Sequence, residues 1–239
     1  PVKEGLLNLH GNPSLSRATV DIATSGSALV TLGTRAGNKS IIGNLVGDGR
    51  VDLGASEDTL ILLGTASGAK TSYDGALIGG GGLTIGSTGP TATVALKGTN
   101  TYTGHTTIAN GVLKLIEGGT LSLSSGVTIA DEAGNQLDIS GAAGDQTIKS
   151  LNGDGEVILG DNTLIIANDN GKSPGSYNGN IKNGVSGNDG GLTLNANAPG
   201  DVFTLTAKNE YEGATTIAKG TLKLGDDEAI AASSGVKMT

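Results

Sequence analysis

Cysteine and tryptophan are absent from this chain of 239 residues, phenylalanine and methionine occur once each, and tyrosine four times. Without cysteine there is no disulfide framework, and the usual zinc-ligand sets are missing. Aromatics are too scarce to fill the core between two packed sheets and too scarce to locate the sugar platforms of a lyase or glycosidase cleft, so a carbohydrate-active enzyme ranks below a non-enzymatic surface protein and below a structural stalk. His10 and His105 are the only histidines, and no acid–histidine–serine arrangement accompanies either. No apolar run approaches the ~20 residues of a membrane span, and the opening PVKEGLLNLHGN lacks the apolar core and cleavage pattern of a secretion signal. The formal net charge of -8 has no basic cluster to offset it. Such a field repels phosphate backbones and anionic headgroups, so neither nucleic-acid binding nor direct membrane insertion is expected.

Glycine is abundant instead, with 42 copies. Short runs of Leu, Ile, Val and Thr alternate with Gly, Asn, Asp and Ser, which is the vocabulary of strands and turns. Helices are not expected, because glycine interrupts nearly every candidate at a cost of about 1 kcal/mol each.

The phrase TYTGHTTIANGVLKL at Thr101 to Leu115 returns as EYEGATTIAKGTLKL at Glu210 to Leu224. The offset of 109 (211 minus 102) holds without a gap from Leu83 and Leu192 to the SSGV tetrapeptides ending at Val127 and Val236. It pairs Tyr102, Gly104, Thr106, Thr107, Ile108, Gly111, Leu113 and Leu115 with Tyr211, Gly213, Thr215, Thr216, Ile217, Gly220, Leu222 and Leu224. Further back the offsets shorten: the GDG at Gly47 answers that at Gly153, and Tyr73 answers Tyr177. EGLLNL at Glu4 matches NGVLKL without its preceding phrase, and the chain stops within the second copy, so a fragment of a longer array is expected.

Between these landmarks, Leu113, Leu115, Leu121, Leu123, Val127, Ile129, Leu137, Ile139, Leu164, Ile166, Leu192, Leu194 and Leu205 occupy alternate places and are expected to face inward. Period two with turns between permits an antiparallel sandwich or a β-helix. Repetition in series favours the β-helix, because one coil cannot cover its own apolar face and a neighbouring coil does. At roughly 20 to 25 residues per coil, about ten coils are expected, with Gly, Asn and Asp at the corners.

The stretch LTIGSTGPTATVALKGTNTYTGHTTIANGVLKLIEGGTLSLSSGVTI resembles the passenger-associated repeat of bacterial autotransporters, with copies at 82–129 and 191–238. The resemblance implies an all-β, right-handed parallel β-helix over 1–239. It also implies export to the surface of a Gram-negative bacterium by way of a C-terminal outer-membrane barrel in the parent protein. Passengers without an added enzymatic domain are commonly adhesins, aggregation and biofilm factors, or other virulence proteins. Glu210 and Glu212 depart from the pattern, standing where the first copy has Thr101 and Thr103.

Recurrence favours packing over chemistry for the repeated residues. His105 is matched by Ala214 and is expected in a solvent-facing turn, and His10 follows a strand beside a turn. The acidic groups Glu57-Asp58, Asp131-Glu132 and Asp226-Asp227-Glu228 are expected as solvated turns rather than calcium sites. GGGGL at Gly79 reads as a corner, since no phosphate-loop lysine or helix follows. No cofactor, metal or catalytic residue is expected. The partners expected are a host-surface protein, matrix or glycan, or further copies of the chain.

Overall fold

The computed structural model describes residues 6–9, 11, 13–22, 29–32, 37–64, 71–86, 92–169, 171–185 and 187–239. Among them are 25 short strands and no helix, and the strands pair in parallel to form a β-solenoid of about nine turns. The chain visits three sides in constant order. Both β2 (Ser14–Ile22) and β4 (Lys39–Gly47) are long enough to run over a corner, and thereby join two sides into one hydrogen-bonded sheet.

On the first side, the end of β4 is followed by β7 (Thr71–Tyr73), β10 (Thr93–Leu96), β12 (Val112–Glu117), β14 (Gln136–Ala142), β17 (Glu156–Ile158) and β20 (Asn180–Lys182). On the second, the start of β4 leads to β6 (Thr59–Leu62), β9 (Gly82–Ile85), β11 (Thr106–Ile108), β13 (Val127–Ile129) and β16 (Leu151–Gly153). That row continues through β19 (Ser176–Tyr177), β22 (Val202–Leu205) and β24 (Thr221–Leu224). The third side holds β1 (Leu6–Leu9), β3 (Leu29–Leu32), β5 (Arg50–Asp52) and β8 (Ala76–Ile78). After two coils it resumes with β15 (Gln146–Ile148), β18 (Leu164–Ile166), β21 (Leu192–Asn195), β23 (Thr215–Lys219) and β25 (Val236–Met238).

Alternation within each strand becomes stacking between strands. On the first side Val94, Leu113, Leu137, Val157 and Ile181 are register partners in succession, and all are buried. On the second side the inner column runs Leu62, Ile85, Ile108, Ile129, Gly153, Tyr177 and Leu205. Each aliphatic member contributes about 1.5–3 kcal/mol by leaving water, so the columns outweigh any single surface contact. Glycine enters where a tyrosine must fit: Gly47 lies opposite Tyr73 and Gly153 opposite Tyr177, both glycines left-handed at φ 97° and 98°.

Of the residues expected inside, Leu123 is an exception at 43% exposure. The chain turns there, with Ser124 N bonded to the Leu121 carbonyl, so Leu121 alone points inward. Leu224 is 45% exposed, and Ile217 and Leu222 are half-buried, because they lie at the end of the described stack.

Coils pack so closely that a single carbon matters. A Cβ on Gly104 would stand 2.3 Å from the Gly81 carbonyl, whereas one on Gly144 would meet nothing within 4 Å. Gly104→Ala is expected to lower stability by about 1–3 kcal/mol, and Gly144→Ala to stay within about 0.5 kcal/mol, as read by urea denaturation.

Candidate functional site

The repeated phrase builds the same buried polar chain twice. The Tyr102 hydroxyl lies 2.6 Å from Thr106 Oγ1, which lies 2.9 Å from Ser124 Oγ. Ser124 donates to the Gly104 carbonyl at 2.8 Å, with the Gly126 carbonyl 3.0 Å away. A carbonyl only accepts, and this fixes the direction: serine donates to glycine, threonine to serine, tyrosine to threonine. In the second copy Tyr211, Thr215, Ser233 and the Gly213 carbonyl repeat the chain at 2.7, 3.0 and 2.9 Å. Thr106 sits in register between Leu83 and Val127, so its hydroxyl would be stranded in the apolar column without this chain.

Asparagine ties the phrase to both neighbouring coils. Asn100 Oδ1 accepts from Leu77 N at 2.9 Å, and its Nδ2 donates to the Thr120 carbonyl at 3.2 Å. Asn209 does the same with Ile181 N and the Ala229 carbonyl, both at 2.8 Å. Asn100, Asn209, Ser124 and Ser233 match at the same offset, the serines within the SSGV tetrapeptides, but the sequence alone assigned them no role. The other tyrosine pair uses backbone acceptors: Tyr73 donates to the Gly49 carbonyl at 2.6 Å and Tyr177 to the Gly155 carbonyl at 2.5 Å.

The remaining motif residues serve the stack. Ile108, Leu113 and Leu115 are core, while Gly111 and Gly220 turn corners at φ 119° and 105°. Thr107 and Thr216 face outward, half-buried. Residue by residue, the second side presents an unbroken outer row of Thr84, Thr107, Thr128, Asn152, Ser176 and Thr204. The first side is charged and self-compensated. Lys97 lies between Asp74 (3.6 Å) and Glu117 (3.1 Å), Lys114 meets Asp138 at 2.6 Å, and Glu156 joins Gln136 (2.6 Å) to Lys182 (2.7 Å). The hydrogen bond from Lys182 holds the Glu156 carboxyl below its usual range.

His105 is not a free turn residue. It is half-buried, its Nε2 lies 2.8 Å from Thr128 Oγ1, and burial lowers its pKa. His10 lies outside the described residues. Asp58 is buried rather than solvated, accepting from Asn38 N and Ala55 N at 2.9 Å each. Asp226 receives Glu228 N at 2.8 Å. Among the described residues no three His, Asp or Glu side chains gather as a metal site. Gly79 to Gly82 form a corner: Gly79 is left-handed at φ 97°, and a Cβ on Gly81 would stand 2.1 Å from the Leu53 carbonyl.

A family model described as passenger-associated-transport-repeat matches residues 91–115 and 201–224. These segments begin just before β10 and β22 and end on Leu115 and Leu224 of β12 and β24, so each match contains one Tyr–Thr pair. No curated protein and no solved structure matches the chain.

Two measurements follow from the polar chain. Thr106→Val strands the Tyr102 hydroxyl and is expected to cost about 1–3 kcal/mol. Tyr102→Phe strands no donor and should cost about 1 kcal/mol, and the double variant should be less destabilised than the sum of the two in a denaturation cycle. All four tyrosines have raised pKa values, chiefly through burial, that of Tyr211 to about 12. The folded chain therefore keeps phenolic protons that the unfolded chain releases near pH 10. Stability from this source is complete below pH ~10 and falls as pH rises towards 12. Tyrosinate absorbance should appear together with unfolding rather than before it.

Proposed function

Since the chain carries passenger-associated transport repeats stacked in a parallel β-solenoid, which fits an autotransporter passenger segment, we propose that it acts as a non-enzymatic adhesive rod. It is secreted or displayed on a Gram-negative surface, with a C-terminal barrel elsewhere in the parent protein. It binds host-surface protein, matrix or glycan, or other copies of itself.

One observation supports this most. The recurring motif residues are used in stacking coil on coil, while the outer row from Thr84 to Thr204 repeats one short polar side chain at every turn. Neighbouring members lie about 4.8 Å apart. Individually weak hydrogen bonds along such a row, multiplied over many rods on one cell, give adhesion through effective concentration. The same stacking favours a second role as a stalk, because the polar chains and inter-coil ion pairs stiffen the rod and extend its reach.

Beads coated with the chain are expected to clump or to adhere to a matrix-protein and glycan array. Replacing the outward Thr107 and Thr204, several coils apart, with lysine should reduce adhesion severalfold with little shift in thermal midpoint. Adhesion unchanged by these substitutions would move the role to the stalk.

A further inference from the structure

The two copies of the repeat do not occupy equivalent sides of the rod. From β11 the second side is revisited at β13, β16, β19 and β22, four turns in all, and two sides later the chain reaches β23, the counterpart of β11. The offset of 109 residues therefore spans four turns and two-thirds of a fifth. Accordingly β9, β10 and β12 on the second and first sides answer β21, β22 and β24 on the third and second. Whatever the second copy presents, it presents in a direction of its own.

It also differs from the first copy in two places far apart in sequence. Strands β8 and β20 align at an offset of 104 (180 minus 76), but β9 and β21 align at 109 (192 minus 83 for the leucines), so five residues are inserted after β20. The second departure is the replacement of Thr101 and Thr103 by Glu210 and Glu212. Both departures meet at one place. An open depression of about 260 Å³ is lined by Lys182, Asn183, Gly184, Val185, Glu210 and Glu212. It forms where the first-side ladder gives out, because beyond β20 a single bridge among the described residues, Lys182 to Glu210, continues the sheet.

The floor is rigid: Asn183 Nδ2 donates to the Gly160 and Gly190 carbonyls at 2.9 and 3.1 Å, and its Oδ1 accepts from Glu212 N at 2.7 Å. Lys182 turns its charge towards Glu156 on the preceding coil. Glu210 accepts the Asn180 amide with Oε2 at 2.9 Å, and no hydrogen bond or ion pair engages the Glu212 carboxylate among the described residues. Val185, 69% exposed, offers an apolar wall.

Carboxylate oxygens at Glu210 and Glu212 beside an apolar wall at Val185 together describe the complement of a long basic side chain. A guanidinium or ammonium group meets the carboxylates while its aliphatic stem covers the valine. We propose that this depression is a docking site, specific to the second copy, for an arginine or lysine side chain of a protein partner. The proposal deepens the adhesive reading and rests on it.

The test uses the whole chain and a fluorescein-labelled peptide carrying three arginines, followed by anisotropy. Saturable binding is expected, weakened about tenfold by Glu210→Thr with Glu212→Thr, the loss of two charge pairs. These substitutions install the threonines that the first copy already folds with, and Val185→Ser, on an exposed side chain, gives an independent and smaller loss. Asp131→Asn with Glu132→Gln, an equal change of charge on exposed residues several coils away, should leave binding within about twofold, since distant exposed charges are screened. Equal weakening by both double variants would reduce the effect to net charge and overturn the site. An absence of saturable binding would also overturn it, while bead adhesion separately judges the broader function. Competition by a glucosamine oligomer but not by free arginine would overturn the choice of a protein partner.

Discussion

Register between successive coils is the constraint on which the rest of the molecule depends. A coil on its own exposes its apolar positions and one edge of backbone hydrogen-bonding groups, and the next coil covers both at once. The interior is too narrow for bulky groups in general, so Leu, Ile and Val fill it. Each tyrosine is admitted only where a glycine opposite it or a buried hydroxyl partner makes room and satisfies its oxygen. The buried polar groups of the repeated phrase reach the coil before or after, directly at the asparagines and serines and through Thr106 or Thr215 at the tyrosines, which converts a sequence motif into a clamp between turns. Such a clamp has no need of catalysis or metal to explain its recurrence.

Much of this was legible in the sequence. Alternate leucines and isoleucines such as Leu113, Leu115, Leu137 and Ile139 marked the inner column, because period two has one meaning in a strand. Glycine was legible as a corner residue in general, because it enters the left-handed region without a Cβ penalty, as Gly111 and Gly220 do. Leu123 misled because alternation continues in the sequence after the chain has already turned at Leu121. His105 misled for a different reason: its replacement by Ala214 shows that the stack does not require it, but not that it is free of contacts.

The partners of Tyr102 could not be read in the same way. Thr106 is close in sequence, but Ser124 belongs to the following coil, and its side chain is brought to the threonine only by the length of the intervening turn. The displacement of the two copies onto different sides was equally hidden. Coil length is not constant: 19 residues separate Thr204 from Lys223, and 28 separate Ser176 from Thr204. Alignment matches residue to residue, whereas the side of the rod depends on the sum of those lengths. The insertion after β20 alters the local surface but not this displacement, because β8 and β20, which precede it, already lie on different sides.

The most direct test of register uses the chain's lack of cysteine as a clean background. Thr107 and Thr128 are partners on adjacent coils, so Thr107→Cys with Thr128→Cys is predicted to form an intramolecular disulfide rapidly and almost completely under mild oxidation. Thr107→Cys with Thr216→Cys, equivalent in sequence but on different sides and several turns apart, is predicted to form none within one chain. Failure of the first pair to link, or linkage of the second within a monomer, would contradict the stacking described here.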